Sequence, residues 1–288
     1  MGGFGSGRGG VAMLVAAAIC APTLAFAQDD DWEFGEDAAR QLTVATVRYD
    51  GGKAVVAQCQ AGALKVVLVG LPASTEVIRT LSASRADGRT DVQTWAAQPG
   101  ATVFTSLVSG RDARFLRGGG LFEVRTAPGA PAPMRARFDL PTENANLDRV
   151  LVACGYGVSD ERDQLVRAGP DLKTEWEAEH ADDRPNQRQR SRSISGTARR
   201  QERPETPPAP RVPTPVDISC IVRDAAYADC RAEHAPTAVS ARMDERIRMI
   251  TGVKLERTSA AANEGRVVYP GSDGVAPLIQ VIREELIG

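Results

Sequence analysis

Apolar residues in the first half of the chain occur in short runs separated by glycine-containing turns, a pattern typical of antiparallel strands. Asp50-Gly51-Gly52 and Ala61-Gly62 separate runs rich in Val and Ala, and Asp87-Gly88 marks a later turn. Further strands are predicted over three ranges: residues 102–108, 121–126 and 134–140. This segment therefore predicts an antiparallel β-rich domain.

A single helix is predicted at the end of this domain. Leu147, Val150, Leu151 and Cys154 recur at the three- and four-residue spacing of one helix face, and Thr142 is the expected N-cap. The apolar face predicts packing against the sheet. Together these patterns indicate an α+β fold, with a first domain over residues 28–160.

The composition changes after this domain. Between residues 181 and 215 there are eight Arg, two Asp and two Glu with few apolar residues, and prolines crowd residues 204–215. Such a segment cannot bury enough surface to offset its chain entropy, and its proline part is expected to be extended. We predict a charged, flexible linker over residues 161–215.

The linker has two open interpretations. Its arginines suit contact with the cell wall or with anionic lipid headgroups, and they equally suit a solvated spacer. Nucleic acid is not an expected partner, because no aromatic residues are interleaved for base stacking. The net charge of −2 favours no particular partner.

Apolar periodicity returns at Val216 and predicts a small ββαβ unit over residues 216–288. One hairpin register separates apolar from polar side chains. That register pairs Cys220 with Cys230, Val222 with Ala228, and Ile218 with Ala232. The opposite face is polar except for Ile221, and it carries Ser219, Arg223, Tyr227, Asp229, Arg231 and Glu233. A helix with one apolar side is expected to cover the apolar face, and a last short helix is predicted over residues 276–286.

The N-terminus has the pattern of a secretory signal peptide. Arg8 precedes an apolar run over residues 11–27, and Ala25-Phe26-Ala27 fits a small-x-small cleavage site before Gln28. Cleavage between Ala27 and Gln28 predicts a periplasmic protein. The alternative is an uncleaved anchor in the inner membrane that faces the periplasm, since 17 residues lie at the lower limit for a spanning helix.

Cleavage leaves four cysteines, an even number that favours disulfides in an oxidising compartment. The hairpin register brings Cys220 opposite Cys230. Cys59 then pairs with Cys154, because Cys59 ends a strand and Cys154 lies on the apolar face of the covering helix. The alternative is four free, buried thiols.

The C-terminal unit resembles the TonB C-terminal-like domain over residues 216–275. The matching segments are Val216-Asp217-Ile218-Ser219-Cys220-Ile221-Val222, Ala228-Asp229-Cys230-Arg231, Pro236 and Gly265-Arg266-Val267-Val268. A proline-rich approach also suits that family. The family's Tyr-Pro segment before the first strand is missing, and Val253-Lys254-Leu255-Glu256-Arg257 replaces its aromatic segment after the helix. The resemblance implies an envelope location, and these departures put contact with an outer-membrane transporter in doubt.

No catalytic, cofactor-binding or metal-binding residue is predicted. The two histidines, His180 and His234, are interpreted as a linker-flanking and a surface-turn residue. Four carboxylates, Asp50, Glu76, Asp87 and Asp139, fall near predicted turns or strand ends, where such residues are ordinary. Trp32, Trp95 and Trp176 are candidates for a binding platform, although Trp32 and Trp95 more often belong to a core or flank a strand.

The sequence therefore favours a non-enzymatic envelope protein that binds or scaffolds envelope partners. One alternative is a periplasmic enzyme or enzyme inhibitor with its site on loops of the first domain. Another is a membrane-anchored energy transducer of the TonB type. No reaction, ligand or oligomeric state is indicated.

Overall fold

A computed structural model describes residues 30–169, 172–179, 218–233 and 241–271. The strands are β1 (Glu33–Asp37), β2 (Leu42–Tyr49), β3 (Lys53–Gln60), β4 (Ala63–Val69), β5 (Ile78–Arg85), β6 (Thr90–Ala96), β7 (Val103–Ser106), β8 (Gly120–Arg125), β9 (Arg135–Leu140), β10 (Ile218–Arg223), β11 (Ala226–Ala232) and β12 (Val267–Val268). The helices are α1 (Ser109–Phe115), α2 (Ala145–Ala153), α3 (Glu175–Glu179), α4 (Ala241–Ile250) and α5 (Arg257–Ala261). No helix in these ranges is long and apolar enough to span a membrane.

Nine antiparallel strands form the larger sheet, in the order β1-β2-β3-β4-β7-β6-β5-β8-β9. The two ends of the sheet approach each other. The Tyr49 hydroxyl on β2 donates a hydrogen bond to the Asp139 carbonyl oxygen on β9 at 2.9 Å, and the two rings of Tyr49 and Phe138 are 5.4 Å apart. The sheet therefore curls around one core, as large twisted sheets tend to do.

Strand alternation supplies that core. On β3, Val55, Ala57 and Cys59 are buried while their neighbours are more exposed, which is the period of a strand with one face turned inward. Trp32 and Trp95 are both fully buried in the same cluster, as expected of core residues. The side chain of Trp176 lies outside the described residues.

Helix α2 covers the core as predicted, but it begins later than expected. Leu147, Val150 and Leu151 are buried, whereas the N-cap is Asn144 rather than Thr142. Thr142 is instead held by Asp30, which accepts hydrogen bonds from its backbone N–H and its hydroxyl. Because Thr142 bonds to Asp30, it does not cap the helix, and Asn144 takes the N-cap position.

Both expected cysteine pairs lie at disulfide distance. Cys59 and Cys154 have Cα atoms 5.5 Å apart, and Cys220 and Cys230 have Cα atoms 4.0 Å apart. The first pair attaches the end of α2 to β3, and the second crosses the hairpin of the small sheet. One bond therefore fastens a helix to the larger sheet, and the other fastens two strands of the small sheet to each other.

The second unit is a three-stranded sheet in the order β11-β10-β12, with α4 and α5 between β11 and β12 in the chain. The predicted hairpin register is correct at Ile218 and Ala232 but wrong nearer the turn, where Val222 lies opposite Tyr227 rather than Ala228. The turn has only two residues, Asp224 and Ala225, both with positive φ, as a type I′ turn requires.

A β-bulge joins the two registers. Between the pairs Ser219–Arg231 and Ile221–Ala228, β10 has one residue and β11 has two. The extra residue, Asp229, has a φ of 46°. The alternation of apolar and polar residues does not reveal such an insertion. A register read from that alternation places one residue of each strand opposite one residue of the other.

The predicted polar face of this hairpin is exposed only in part, at Arg223 and Asp229. Ser219, Tyr227 and Glu233 are buried, and every residue of β10 except Arg223 is buried. Helix α4 packs on β11, while the face that carries Ile221 meets Val108 of the larger sheet's domain. The small sheet is therefore covered on both faces.

Residues 161–169 and 172–179, which the sequence assigned to the linker, are folded against the second unit. Glu161–Gln164 form a 3₁₀ turn, Arg167 bridges Val267 in parallel, and Thr174 bridges Leu255. These backbone contacts tie residues 161–169 and 172–179 to the second unit. The rest of the predicted linker, the signal peptide, both histidines and the last predicted helix lie outside the described residues.

Removal of the Cys59–Cys154 bond is expected to cost more stability than removal of Cys220–Cys230. The bonds span sequence separations of 95 and 10 residues. Loop-closure entropy in the unfolded chain then favours the longer bond by about 2 kcal/mol. Denaturant unfolding of the two double Cys→Ala variants measures this difference, and a larger loss for the Cys220/Cys230 variant would contradict it.

Candidate functional site: the charged junction between the two sheets

Helix α1 is a short polar helix that is entirely buried. Its sequence is Ser-Gly-Arg-Asp-Ala-Arg-Phe, and all seven residues are classed as buried. The Ser109 hydroxyl accepts a hydrogen bond from the Val66 N–H of β4, and the Tyr156 ring lies directly against Gly110. The helix thus sits between the larger sheet and the chain that leads to the small sheet.

Arg111 joins α1 to the connecting chain. Its Nε lies 2.8 Å from Asp91 Oδ2 on β6, and its two terminal nitrogens donate to the carbonyl oxygens of Arg162 and Leu165 at 2.9 Å. Burial by itself would lower the pKa of Arg111, but the Asp91 carboxylate overrides it and holds that pKa above the ordinary value. The guanidinium is therefore a cation in which each of the three nitrogens donates at least one hydrogen bond.

Arg114 reaches from α1 to the second unit. It forms a two-point pair with the Asp163 carboxylate at 2.6 and 2.9 Å, and its Nη2 lies 3.4 Å from Glu233 Oε2 just after β11. The side chains of Arg114 and Glu233 are only 3% and 2% exposed, so solvent barely screens their attraction. One guanidinium therefore holds carboxylates from two parts of the chain.

Arg162, in the connecting chain, binds the small sheet directly. Its Nη1 donates to both the carbonyl oxygen and the hydroxyl of Ser219, at 2.8 and 2.7 Å, and its Nη2 donates to the Asp229 carbonyl oxygen at the bulge. Arg231 pairs with Asp160 and Glu161 from the other side. We call this set of ion pairs around α1 the junction.

Asp112 is the carboxyl of the junction whose pKa is raised by burial. It is completely buried, the Ser106 hydroxyl donates to its Oδ2 at 2.5 Å, and the nearest cation, Arg167, is 3.8 Å from its Oδ1. Burial raises its pKa from 3.8 to about 6, against the lowering effect of Arg167. This carboxyl therefore titrates close to neutral pH.

An apolar patch accompanies the ion pairs. Val108, Ile221, Val267 and Tyr269 form one buried cluster, with Leu165 packed against it. The first of these residues precedes α1, and the next three belong to the small sheet and the residue after it. Apolar contact and ion pairs together fix the small sheet against the larger one.

Two cavities flank the junction on either side of Asp163 and Gln164. One, of about 440 Å³, is lined partly by β5, β6 and residues 163–167. The other, of about 280 Å³, is lined by four arginines, Arg89, Arg111, Arg114 and Arg117, together with Asp160 and Asp163. Asp112 lines neither cavity, so its carboxyl has no direct access to a ligand there.

Metal and acid–base chemistry find little support in the described ranges. No group of three or more His, Cys, Asp or Glu side chains in these ranges can hold a metal ion. The four carboxylates considered from the sequence are not brought together: Asp50 and Asp87 lie at different turns, Glu76 precedes β5, and Asp139 is on β9. What the arrangement can do is fix two sheets in one orientation and present positive cavities beside them.

The junction was not predicted from the sequence. Helix α1 has no apolar stripe, and its two arginines look like ordinary surface residues. A weak signal was the position of two charged residues, Asp112 and Glu233, beside strands that otherwise contribute to the core. Only the folded chain brings carboxylates from residues 91, 163 and 233 to one short helix.

No protein-family model, no curated protein and no solved structure matches this chain. The geometry of the junction and the sequence resemblance therefore carry the functional argument.

The stability conferred by a protonated Asp112 should be fully present below about pH 4 and lost as the pH rises through about 6. In that window the folded chain binds a proton that the unfolded chain releases. We expect Asp112→Asn to remove this loss, so its unfolding free energy relative to the unsubstituted protein rises by roughly 3 kcal/mol from pH 4 to pH 7. Denaturant unfolding across that range measures it.

A second variant tests the same assignment. Ser106→Ala removes a hydrogen bond that favours the charged carboxylate, so the pH window should move upward. A constant difference between Asp112→Asn and the unsubstituted protein from pH 4 to pH 7 would contradict the assignment.

Gly110→Ala should destabilise the protein by about 1–3 kcal/mol, as overpacking of a core does. A Cβ at Gly110 would lie 2.6 Å from Cδ1 of the Tyr156 ring, so helix or ring must move. Gly169→Ala is the matched control, because its Cβ would lie 3.9 Å from the nearest atom, in Asn263. Thermal unfolding of both variants compares them, and equal losses would argue against tight packing at α1.

Proposed function

We propose that this chain is a non-enzymatic periplasmic protein of the cell envelope that binds or scaffolds partner proteins. The observation that supports it most is the junction, where buried Arg114 contacts both Asp163 and Glu233. A buried ion pair of this kind is geometrically selective, because leaving either carboxylate unpaired is costly. The small unit is thereby held in one orientation on the larger sheet, as a fixed binding platform requires.

The TonB C-terminal-like resemblance of residues 216–275 agrees with this role. The second unit has the element order strand, strand, helix, strand that the resemblance implies, with a further short helix, α5, before the last strand. Its missing aromatic segment, replaced by residues 253–257, argues for partner binding rather than a working transducer. Arg223 and Asp229, which pair at 3.0 Å and are more than half exposed, mark a surface of this unit that a partner can reach.

Export to the periplasm rests on two features. The first is the small-x-small site before Gln28. The second is the presence of two cysteine pairs at disulfide distance, which persist in oxidising compartments. The arginine-rich residues 181–215 add a possible contact with the cell wall or with anionic lipid.

An enzymatic role is the second candidate, and Asp112 is the observation that favours it. Strongly perturbed carboxyls cluster at active sites, and this one titrates near pH 6 beside a serine hydroxyl. Its complete burial away from both cavities supports a structural role instead.

Fractionation tests the location. We expect protein in the periplasmic fraction to begin at Gln28 by N-terminal sequencing. A chain that begins at Met1 and fractionates with the inner membrane would favour the anchored transducer, and a cytoplasmic chain would contradict export altogether.

In-cell photocrosslinking tests the binding role. A photoreactive residue at Arg223 should give discrete adducts with envelope proteins, because this position is exposed on the second unit. The matched control is the same residue at Arg40, which is exposed at the far end of the larger sheet. Adducts at neither position, in protein that is correctly exported, would contradict the proposal.

A further inference from the structure

The larger of the two cavities at the junction has the size of a small-molecule site. It measures about 440 Å³, within the range of ordinary ligand pockets. Its walls come from β5, β6, β8, α1 and residues 163–167.

Most of its charges are already compensated, and one is not. Arg111 pairs with Asp91, Asp163 is bound by Arg114, and Arg167 faces Asp112. Arg125 is exposed on β8, and no carboxylate within the described ranges pairs with it. The cavity therefore carries one uncompensated positive charge at its mouth.

Hydroxyl groups lie beside that cation because of the strand register. Ser82 on β5 is directly opposite Arg125 on β8, and Ser84 is directly opposite Thr90 on β6. Residues directly opposite each other in an antiparallel pair project from the same face of the sheet. A guanidinium and neighbouring hydroxyls are the donors that proteins use for carboxylate and phosphate oxygens.

The same face also carries exposed apolar groups. Val92 on β6 is the other cross-strand neighbour of Ser82, and its side chain is 46% exposed. Val166, which also lines the cavity, is 66% exposed. Leu165 adds an apolar wall. An inorganic ion alone would leave these surfaces uncovered and most of the volume unfilled.

We infer that this cavity binds a small organic anion, in which a carboxylate or phosphate group is attached to a short aliphatic chain. Arg125 contacts the anionic group, the Ser82 and Ser84 hydroxyls donate to its oxygens, and Val92 and Val166 cover the aliphatic part. This site is separate from partner binding by the second unit, so it holds whether or not the scaffold role does.

Calorimetric titration of the mature, full-length protein tests the inference with hexanoate and hexyl phosphate as probes. Binding of either anion is expected, and comparison of the two identifies the preferred head group. Hexanol and hexylamine, which have the same chain without the negative charge, should not bind. Binding of neither anion would overturn the inference.

Two variants locate the site. Arg125→Gln should weaken binding by roughly 10- to 100-fold, the usual loss for one charge-assisted hydrogen bond, while Arg40→Gln, an exposed arginine elsewhere, should leave it unchanged. Val92→Thr keeps the shape and should weaken binding of the hexyl probes more than binding of acetate. Equal effects of Arg125→Gln and Arg40→Gln would mean attraction by general charge and would overturn the site.

Discussion

The buried guanidinium of Arg114 is the contact on which the arrangement of this protein depends. It takes a carboxylate from the connecting chain and another from the end of the small sheet, and hardly any of it reaches solvent. Loss of this group removes the partner of the buried Glu233 carboxylate, at a cost of about 3–5 kcal/mol for a buried pair, and also the partner of the partly exposed Asp163. The position of the second unit is therefore set by a charge requirement as much as by apolar area.

The rest of the junction follows from that requirement. Arg111 pairs with the Asp91 carboxylate and donates to the carbonyl oxygens of the connecting chain. Arg162 in that chain donates to the carbonyl oxygen and the hydroxyl of Ser219, so buried donors and acceptors on both sides are satisfied. Asp112 is the exception, since among the described residues the Ser106 hydroxyl donates to it at 2.5 Å and the nearest cation, Arg167, is 3.8 Å away. Burial with this incomplete compensation raises the pKa of its carboxyl to about 6.

A fixed junction also links the two proposals. Residues 163–167 form one wall of the anion cavity and, through Arg162 and Arg167, the attachment of the small sheet. A ligand at Arg125 and a partner on the second unit would therefore act on opposite sides of the same short segment. Whether the two sites are coupled depends on how far that segment moves, which hydrogen exchange with and without the hexyl probes can measure.

The sequence by itself determined the parts of this protein that rest on local periodicity. It determined the antiparallel class of the first domain, the apolar face of α2 at Leu147, Val150 and Leu151, the three strands and first helix of the second unit, although not α5, and the two cysteine pairs. Each of these is visible within a few residues or follows from strand alternation. The tertiary structure decided the two-residue turn and the bulge at Asp229, the N-cap at Asn144, the contacts of residues 161–169 with the second unit, and the whole junction. Those features depend on residues distant in the chain that compete for the same hydrogen bonds. Burial of Ser219 and Glu233 is the plainest case: their alternation is that of a solvated face, and only a guanidinium from another part of the chain makes their burial possible.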